Sequence, residues 1–404
     1  MNIIFLTICR INDINEKDIY NDLLRKFRNE GHKVYVVSPV ERRFREPTVI
    51  VNHDNIHILR VKSLNIQKTN VLEKGVGTVI IEYLFKNAIK KYWGNIHFDL
   101  ILYSTPPITL FNVVKYLKQS TPTAKAYLLL KDIFPQNAVD LELFRRNGLL
   151  FQYFRRKEKQ LYALSDYIGC MSPANVRYIL EKNPTLDPNK VEECPNCQCL
   201  YVENRPKEEI IRERSEIRHK FGIPLDSIVF LYGGNLGKPQ GIGFLIESIS
   251  HNSSRKDCFF VLVGDGTEYA KIQDWINDSK PSNCILIQRL PKDEYDALVR
   301  ACDVGIICLD HRFTIPNYPS RLLSYMEFKM PIIAATDPNT DIGSIAVQNG
   351  YGYWCESNSV AAFSSILDRM IHSDIKSMGQ RAYSFMEENY SIERNYSVIM
   401  NHFD

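Results

Sequence analysis

No run of about 18 consecutive apolar residues occurs in the 404-residue chain, so no membrane-spanning helix is expected. Charge of one sign is also missing. The 50 lysines and arginines nearly balance 47 aspartates and glutamates, leaving +3, which excludes the broad basic surface of a nucleic-acid binder. The opening Met1-Asn-Ile-Ile-Phe-Leu-Thr7 has no basic segment ahead of its short apolar stretch. It reads as a first buried strand and not as a signal peptide. With no export signal, the ten cysteines are expected as reduced thiols in the cytosol. Cys194, Cys197 and Cys199 lack the second cysteine pair or nearby histidine that a zinc site needs. They are expected to be small buried residues near a hinge, and no metal is expected. A complete G-x-G-x-x-G is absent too, which argues against a nicotinamide dehydrogenase.

What is present is ample apolar material, 45% of residues, and enough length for two domains of ~150 residues or more each. Strands and helices alternate almost throughout. The first series of strands is expected at 2–7, 33–39, 56–61, 100–104, 126–130 and 167–171, with helices at 16–29, 76–92, 109–118 and 149–164. Continuous apolar runs such as Leu100-Ile-Leu-Tyr103 suit a parallel sheet covered on both faces. A second series follows Arg205-Pro206, with strands at 227–232, 259–263, 284–287, 304–308 and 331–335. The reading is α/β, with two doubly wound parallel-sheet domains over 1–200 and 201–389. The closing helix, 390–404, is expected to pack back on the first. Ligands of such sheets sit at the carboxyl ends of the strands, so the site is expected in the cleft where the two sheets face.

The run Leu231-Tyr-Gly-Gly-Asn-Leu-Gly-Lys-Pro-Gln-Gly241 follows a hydrophobic strand and precedes an amphipathic helix. Glycines let backbone N–H groups approach an anion, the helix N-terminus adds partial positive charge, and Lys238 adds a full one. The loop suits a phosphate or diphosphate, and an ordinary strand-to-helix turn is the competing reading. Gly264-Asp-Gly266 follows another strand, and there Asp265 is expected to cap the next helix. In Phe313–Pro331, either Ser320 is the N-cap after Pro319 or Pro319 itself opens the helix as its first residue, and the first turn carries Arg321, either reaching an anion or simply solvated. Lys131 and Asp132 stand at the end of the 126–130 strand, where substrate contacts are expected. Arg10, Asn12 and Asp13 hold the same position after the first strand. The basic and aromatic stretch 144–159 fits either an anionic membrane surface or a core-facing helix with a solvated basic edge.

Taken together, these residues resemble the family-4 glycosyltransferases with the GT-B fold, in their bacterial surface-polysaccharide branch. The resemblance rests on Gly233-Gly-Asn-Leu-Gly-Lys-Pro-Gln-Gly241, Gly264-Asp-Gly266, Leu290-Pro-Lys-Asp-Glu294, Pro319-Ser-Arg-Leu-Leu-Ser-Tyr-Met326 before Pro331-Ile-Ile, and Asp132-Ile-Phe-Pro135. It covers nearly the whole chain.

It implies a retaining transferase that takes a sugar from a nucleotide-sugar donor, of UDP type, without metal or other cofactor. The acceptor would be a lipid-linked or polysaccharide-precursor glycan, and the protein would be cytoplasmic and peripheral at the inner face of the membrane. The donor would be held by Gly233, Gly234, Asn235, Leu236, Gly237, Gln240, Gly264, Leu290, Ser320, Ser324 and Glu327. Lys238, Arg321 and Asp132 would act in the reaction, and Arg10, Asn12, Asp13 and Lys131 would face the acceptor.

The chain departs from the family pattern at five positions. Asn235 and Gln240 replace the loop's usual arginine and lysine. Pro316 and Ser324 replace a pair of glutamates, the second of which binds the ribose in the family. Ser324, or Glu327 a turn later, would have to take that contact. Lys131 replaces a histidine. A non-catalytic partner subunit and a sugar-nucleotide epimerase are the alternatives these departures leave.

Overall fold

The structure is a computed structural model, and it describes residues 1–66, 69 and 71–403. Two compact units emerge, Met1–Cys199 with Ile392–Asp404, and Leu200–Ser391.

The first unit is built on an eight-stranded sheet: β1 (Asn2–Leu6), β2 (Lys33–Glu41), β3 (Val49–His53), β4 (Ile56–Ser63), β5 (Leu100–Thr105), β6 (Lys125–Leu130), β7 (Tyr167–Cys170) and β8 (Val191–Glu193). Their order is β3-β4-β2-β1-β5-β6-β7-β8. All neighbours run parallel except β3, which pairs antiparallel with β4. That edge strand was not expected from the sequence. Its turn is made by Asp54 and Asn55 at φ +29 and +33, which side chains of this kind tolerate. The three-residue β8 is too short to leave a pattern. The chain lays down β2 and β4 on one side of β1 and then crosses to β5 on the other. The topological switch therefore falls between β1 and β5, with Thr7 and Thr105 at its mouth.

Local signals explain the helices around this sheet. Asp18 caps the helix Ile19–Asn29 by accepting from the Tyr20 N–H, and Gly31, at φ +84, ends it. Ser172 caps Pro173–Lys182, with proline in the first turn. The final helix Ile392–Met400 brings Ile392 and Ile399 into the same core as Phe27, Leu24, Cys194 and Cys197. The Asn395 side-chain amide also reaches the Pro195 carbonyl at 2.5 Å.

The second unit carries β9 (Ile228–Asn235), β10 (Cys258–Asp265), β11 (Cys284–Gln288), β12 (Val304–Cys308), β13 (Ile332–Thr336) and β14 (Gly352–Glu356). The order is β11-β10-β9-β12-β13-β14, all parallel, with the switch between β9 and β12. The edge strand β14, with its mixed Gly352-Tyr-Trp-Cys-Glu356 pattern, was not expected. The core gathers Phe230, Phe260, Leu262, Ile306, Ile333 and Phe363. No described helix is long and apolar enough to cross a membrane.

Candidate active site

At the switch point of the second unit, the glycine run folds differently from a wide loop. β9 continues through Gly233 and Gly234 to Asn235, in register with Val263, Gly264 and Asp265 of β10. The glycines here serve close packing. A Cβ on Gly264, at φ +156, would stand 1.8 Å from the Gly234 carbonyl oxygen. The expected offer of amides along 233–237 is narrower for the same reason. The Gly233 N–H donates to the Tyr325 hydroxyl at 3.0 Å, and the Leu236 N–H to the Asp265 carbonyl at 3.0 Å. Among the described residues the Gly237 N–H finds no such acceptor.

A single 3-10 turn, Lys238–Gln240, then leads through Gly241 at φ +57 into the helix Ile242–His251. Gly241 must lack a side chain, since a Cβ would lie 2.9 Å from the Leu309 carbonyl beyond β12. Gly234, Asn235 and Lys238 are exposed, and Leu236 is buried. Lys238 makes no ion pair among the described residues.

Arg321 opens the short helix Arg321–Glu327, and the structure brings it to the end of β9. Its guanidinium carbon lies 4.3 Å from the centroid of the Tyr232 ring. One terminal nitrogen donates to Gln240 Oε1 at 2.6 Å, and the other, Nη1, is buried without a partner. No carboxylate pairs with it among the described residues. Arg312 contrasts sharply, since Asp310 grips it through Nε at 2.9 Å and Nη2 at 2.8 Å. Tyr232 itself donates to the Asn235 carbonyl at 3.1 Å and to Gln240 Oε1 at 3.2 Å. Asn235 and Gln240 thus frame a cation that comes from another part of the chain.

The other donor-side residues are placed less uniformly. Ser324 lies one helical turn after Arg321, half-buried. Ser320 stands at the N-cap position with helical backbone angles and makes no side-chain cap bond, contrary to the capping alternative. Asp265 ends β10 and does not cap the next helix, which starts only at Tyr269. Glu327 is 2% exposed and raises the Tyr383 phenol's pKa behind desolvation and Glu387. It sits about 240° around the helix from Arg321, which separates it from this group. Leu290 is half-buried in the turn between β11 and the helix Lys292–Ala301, and Pro316 is buried.

In the first unit, Lys131 and Asp132 follow β6 but do not pair with each other. The Lys131 ammonium donates to the Cys194 carbonyl at 3.0 Å, and burial pushes its pKa down. Both Asp132 oxygens accept from the Asn137 side-chain amide, at 2.9 and 3.1 Å. Burial pushes the Asp132 carboxyl up to about 6, with the Asn137 and Ile133 hydrogen bonds opposing. Asn137 carried no sequence signal beyond its place five residues on. Beyond β1, Arg10 pairs with Glu46 at 2.6 Å and stacks on Phe44. The Asn12 carbonyl accepts from Arg60, and Asp13 turns its own loop by accepting from the Asn15 N–H at 2.9 Å. Arg10 is therefore occupied, while Asn12 and Asp13 are exposed.

The cysteine cluster divides. Cys194 and Cys197 are buried and Cys199 is exposed, which corrects the expectation of three buried thiols. Among the described residues no group of three or more histidines, cysteines or acids is arranged to hold a metal.

The 144–159 stretch divides as well. In the helix Leu149–Leu164, Leu149 is 86% and Leu150 61% exposed, whereas Glu158, Leu161 and Tyr162 are buried. The neighbouring helix Val71–Trp93 exposes Val76, Val79, Ile80 and Tyr83. Lys157 joins the two helices by an ion pair to Glu82 at 3.3 Å.

Residues 213–385 match the family model described as Glycosyl transferases group 1. The probable glycosyltransferase WbjE of Pseudomonas aeruginosa is 24% identical over 326 residues, which cover 80% of this chain and 78% of that protein. Among solved structures, sucrose-phosphate synthase from Thermosynechococcus elongatus aligns with a TM-score of 0.72 at 13% identity, covering 100% of this chain and 98% of its own. HepE from Anabaena, in complex with UDP and glucose, aligns with a TM-score of 0.70 at 14% identity over 100% of this chain and 99% of its own.

Proposed function

We propose that this chain, a glycosyltransferase with the GT-B fold, moves a sugar from a UDP-sugar or related nucleotide donor to a lipid-linked or polysaccharide-precursor glycan. The transfer would serve cell-surface polysaccharide biosynthesis and retain the anomeric configuration. The observation that carries this reading is Arg321, a guanidinium stacked on Tyr232 with one buried nitrogen unpaired and no carboxylate beside it among the described residues. A cation partly withdrawn from water, with one nitrogen fully shielded, is costly until an anion completes it. A donor's diphosphate is such an anion, and it would lie at the carboxyl end of β9, where doubly wound sheets hold ligands.

In this reading the bond between the sugar's anomeric carbon and the diphosphate oxygen breaks as the bond to the acceptor oxygen forms. The acceptor proton passes to the departing phosphate. Negative charge growing on that phosphate is met by Arg321, Lys238 and the Gly237 N–H, without recourse to a metal. Ser324 offers its hydroxyl to the ribose. Asp132, as a carboxylate, is assigned to the acceptor hydroxyl, and exposed Asn12 and Asp13 to the glycan acceptor.

The same reading puts the protein on the cytoplasmic face of a membrane. Leu149, Leu150 and Tyr153 would enter the headgroup region beside Val76, Val79 and Ile80, with Arg145, Arg146 and Arg156 meeting anionic lipid.

The experiment is incubation of the purified protein with a panel of nucleotide sugars and a lipid-linked glycan, reading release of free nucleotide and mass gain of the acceptor. Acceptor-dependent release from one donor is expected. Absence of release with every donor, together with no calorimetric binding of UDP or GDP, would end the proposal.

A further inference from the structure

Three phenols lie within electrostatic reach of the Arg321 guanidinium, and two of them have hydrogen-bond partners. Tyr232 donates to the Asn235 carbonyl, and Tyr325 accepts the Gly233 N–H at 3.0 Å. The third belongs to Tyr295, on the helix Lys292–Ala301. Its hydroxyl comes so close to Gly233 that a Cβ there would stand 2.2 Å from the phenolic oxygen. Glycine at 233 therefore makes the room this hydroxyl occupies. The Tyr295 hydroxyl has no hydrogen-bond partner among the described residues. Its ring is half-buried, and Gly234 and Asn235, the next residues of β9, are exposed.

A hydroxyl of a half-buried tyrosine, without a hydrogen-bond partner among the described residues and packed at Gly233 while the Arg321 guanidinium packs at Gly234, forms with that guanidinium a donor pair for an anionic oxygen. Its neighbours in the fold do not use it. Tyr325 already serves Gly233, and Gln240 and Asn235 are taken by Arg321 and Tyr232.

We infer that Tyr295 is a further donor-contacting residue, whose hydroxyl hydrogen-bonds a diphosphate oxygen of the nucleotide sugar alongside Arg321. This rests on the donor reading of the Arg321 site. It assigns a contact to a residue outside the glycine run and outside the helix that carries Arg321. It also accounts for the bare Gly233, since any side chain there would drive the hydroxyl away.

The test is calorimetry on the full chain with UDP, GDP, uridine and guanosine, comparing wild type with Tyr295→Phe. Phenylalanine keeps the ring and removes only the unpartnered oxygen, so the melting temperature should hold. The nucleoside diphosphate that wild type binds should bind Tyr295→Phe about tenfold more weakly, because a hydrogen bond to a charged group is lost. The matching nucleoside, which lacks the diphosphate, should bind both proteins equally. Unchanged diphosphate affinity would overturn the inference, as would an equal loss for the nucleoside, which would move the contact to the ribose or base. A fall of several degrees in melting temperature would mark a structural hydroxyl and overturn it too. Wild type that binds neither UDP nor GDP would instead sink the donor reading itself.

Discussion

Arg321 and Tyr232 stack with 4.3 Å between the guanidinium carbon and the ring centroid, across 89 positions of sequence. Gln240 holds the same guanidinium edge-on at 2.6 Å. Stack and hydrogen bond together fix a planar cation in one orientation and leave Nη1 for something outside the protein. Arg321→Lys keeps the charge but loses the plane and the fork. We expect Arg321→Lys and Arg321→Ala both to lower kcat/KM by about 10²–10³, the loss typical of one preorganised donor to a developing anion. Melting temperature should not fall in parallel, because the half-buried cation has no ion-pair partner among the described residues to lose. A variant that unfolds while keeping its specific activity would assign Arg321 a structural role.

Lys238 differs from Arg321 in being exposed, and among the described residues it too makes no ion pair. Lys238→Ala should therefore leave thermal stability within about 0.5 kcal/mol, as surface changes do. Turnover should fall by at least tenfold if the ammonium meets the departing phosphate. Transfer rates equal to wild type would remove Lys238 from the mechanism.

Asp132 sets a pH dependence whose sign follows from burial. Its carboxyl rises from 3.8 to about 6 in the fold, so the folded protein holds this proton more tightly than the unfolded chain does. The stabilisation is fully present below about pH 4 and lost as pH rises through 6. At pH 7 Asp132→Asn should melt higher than wild type, by a margin on the order of 1–3 kcal/mol that closes toward pH 4. Activity should move oppositely. A carboxylate that orients the acceptor makes kcat climb through about pH 6, and Asp132→Asn should flatten that limb. A wild-type profile flat from pH 5 to 8 would detach Asp132 from the reaction.

Leu149 and Leu150 test the membrane reading. Both are exposed, so Leu149→Ser with Leu150→Ser should leave folding intact. Co-sedimentation with vesicles rich in anionic phospholipid should weaken by at least tenfold, since two leucines lose about 1.5–3 kcal/mol of burial each. Equal sedimentation of wild type and variant would assign the exposed leucines to something other than lipid.

The closing helix offers a stability test. Ile399 is 0% exposed in the core that also holds Phe27 and Cys197. Ile399→Ala should cost about 2–5 kcal/mol, read by denaturant unfolding. A change below 1 kcal/mol would show that this helix contributes little to the first unit.

Much of the architecture was legible because it is written in short-range patterns. Buried parallel strands are continuous apolar runs, and β12 and the helix Leu149–Leu164 fall at the expected residues. Strands without such a run escaped notice, namely the edge strands β3 and β14 and the three-residue β8.

The site was legible only as an inventory. A glycine run, a lysine and an arginine after Pro319-Ser320 announce anion chemistry by type. Alone, the sequence determined which residues could bear charge near the ends of strands, because strand ends and turn residues are local properties. The tertiary structure decided which of them meet. Packing across β9, β10 and β12 turned Gly233 and Gly264 into spacers, spent the Gly233 and Leu236 amides inside the fold, stacked Tyr232 on Arg321 and brought Tyr295 and Tyr325 within its electrostatic reach. Those contacts join residues tens of positions apart, and the packing that buries Arg321 Nη1 without a partner among the described residues is a property of the packed core and of no segment within it.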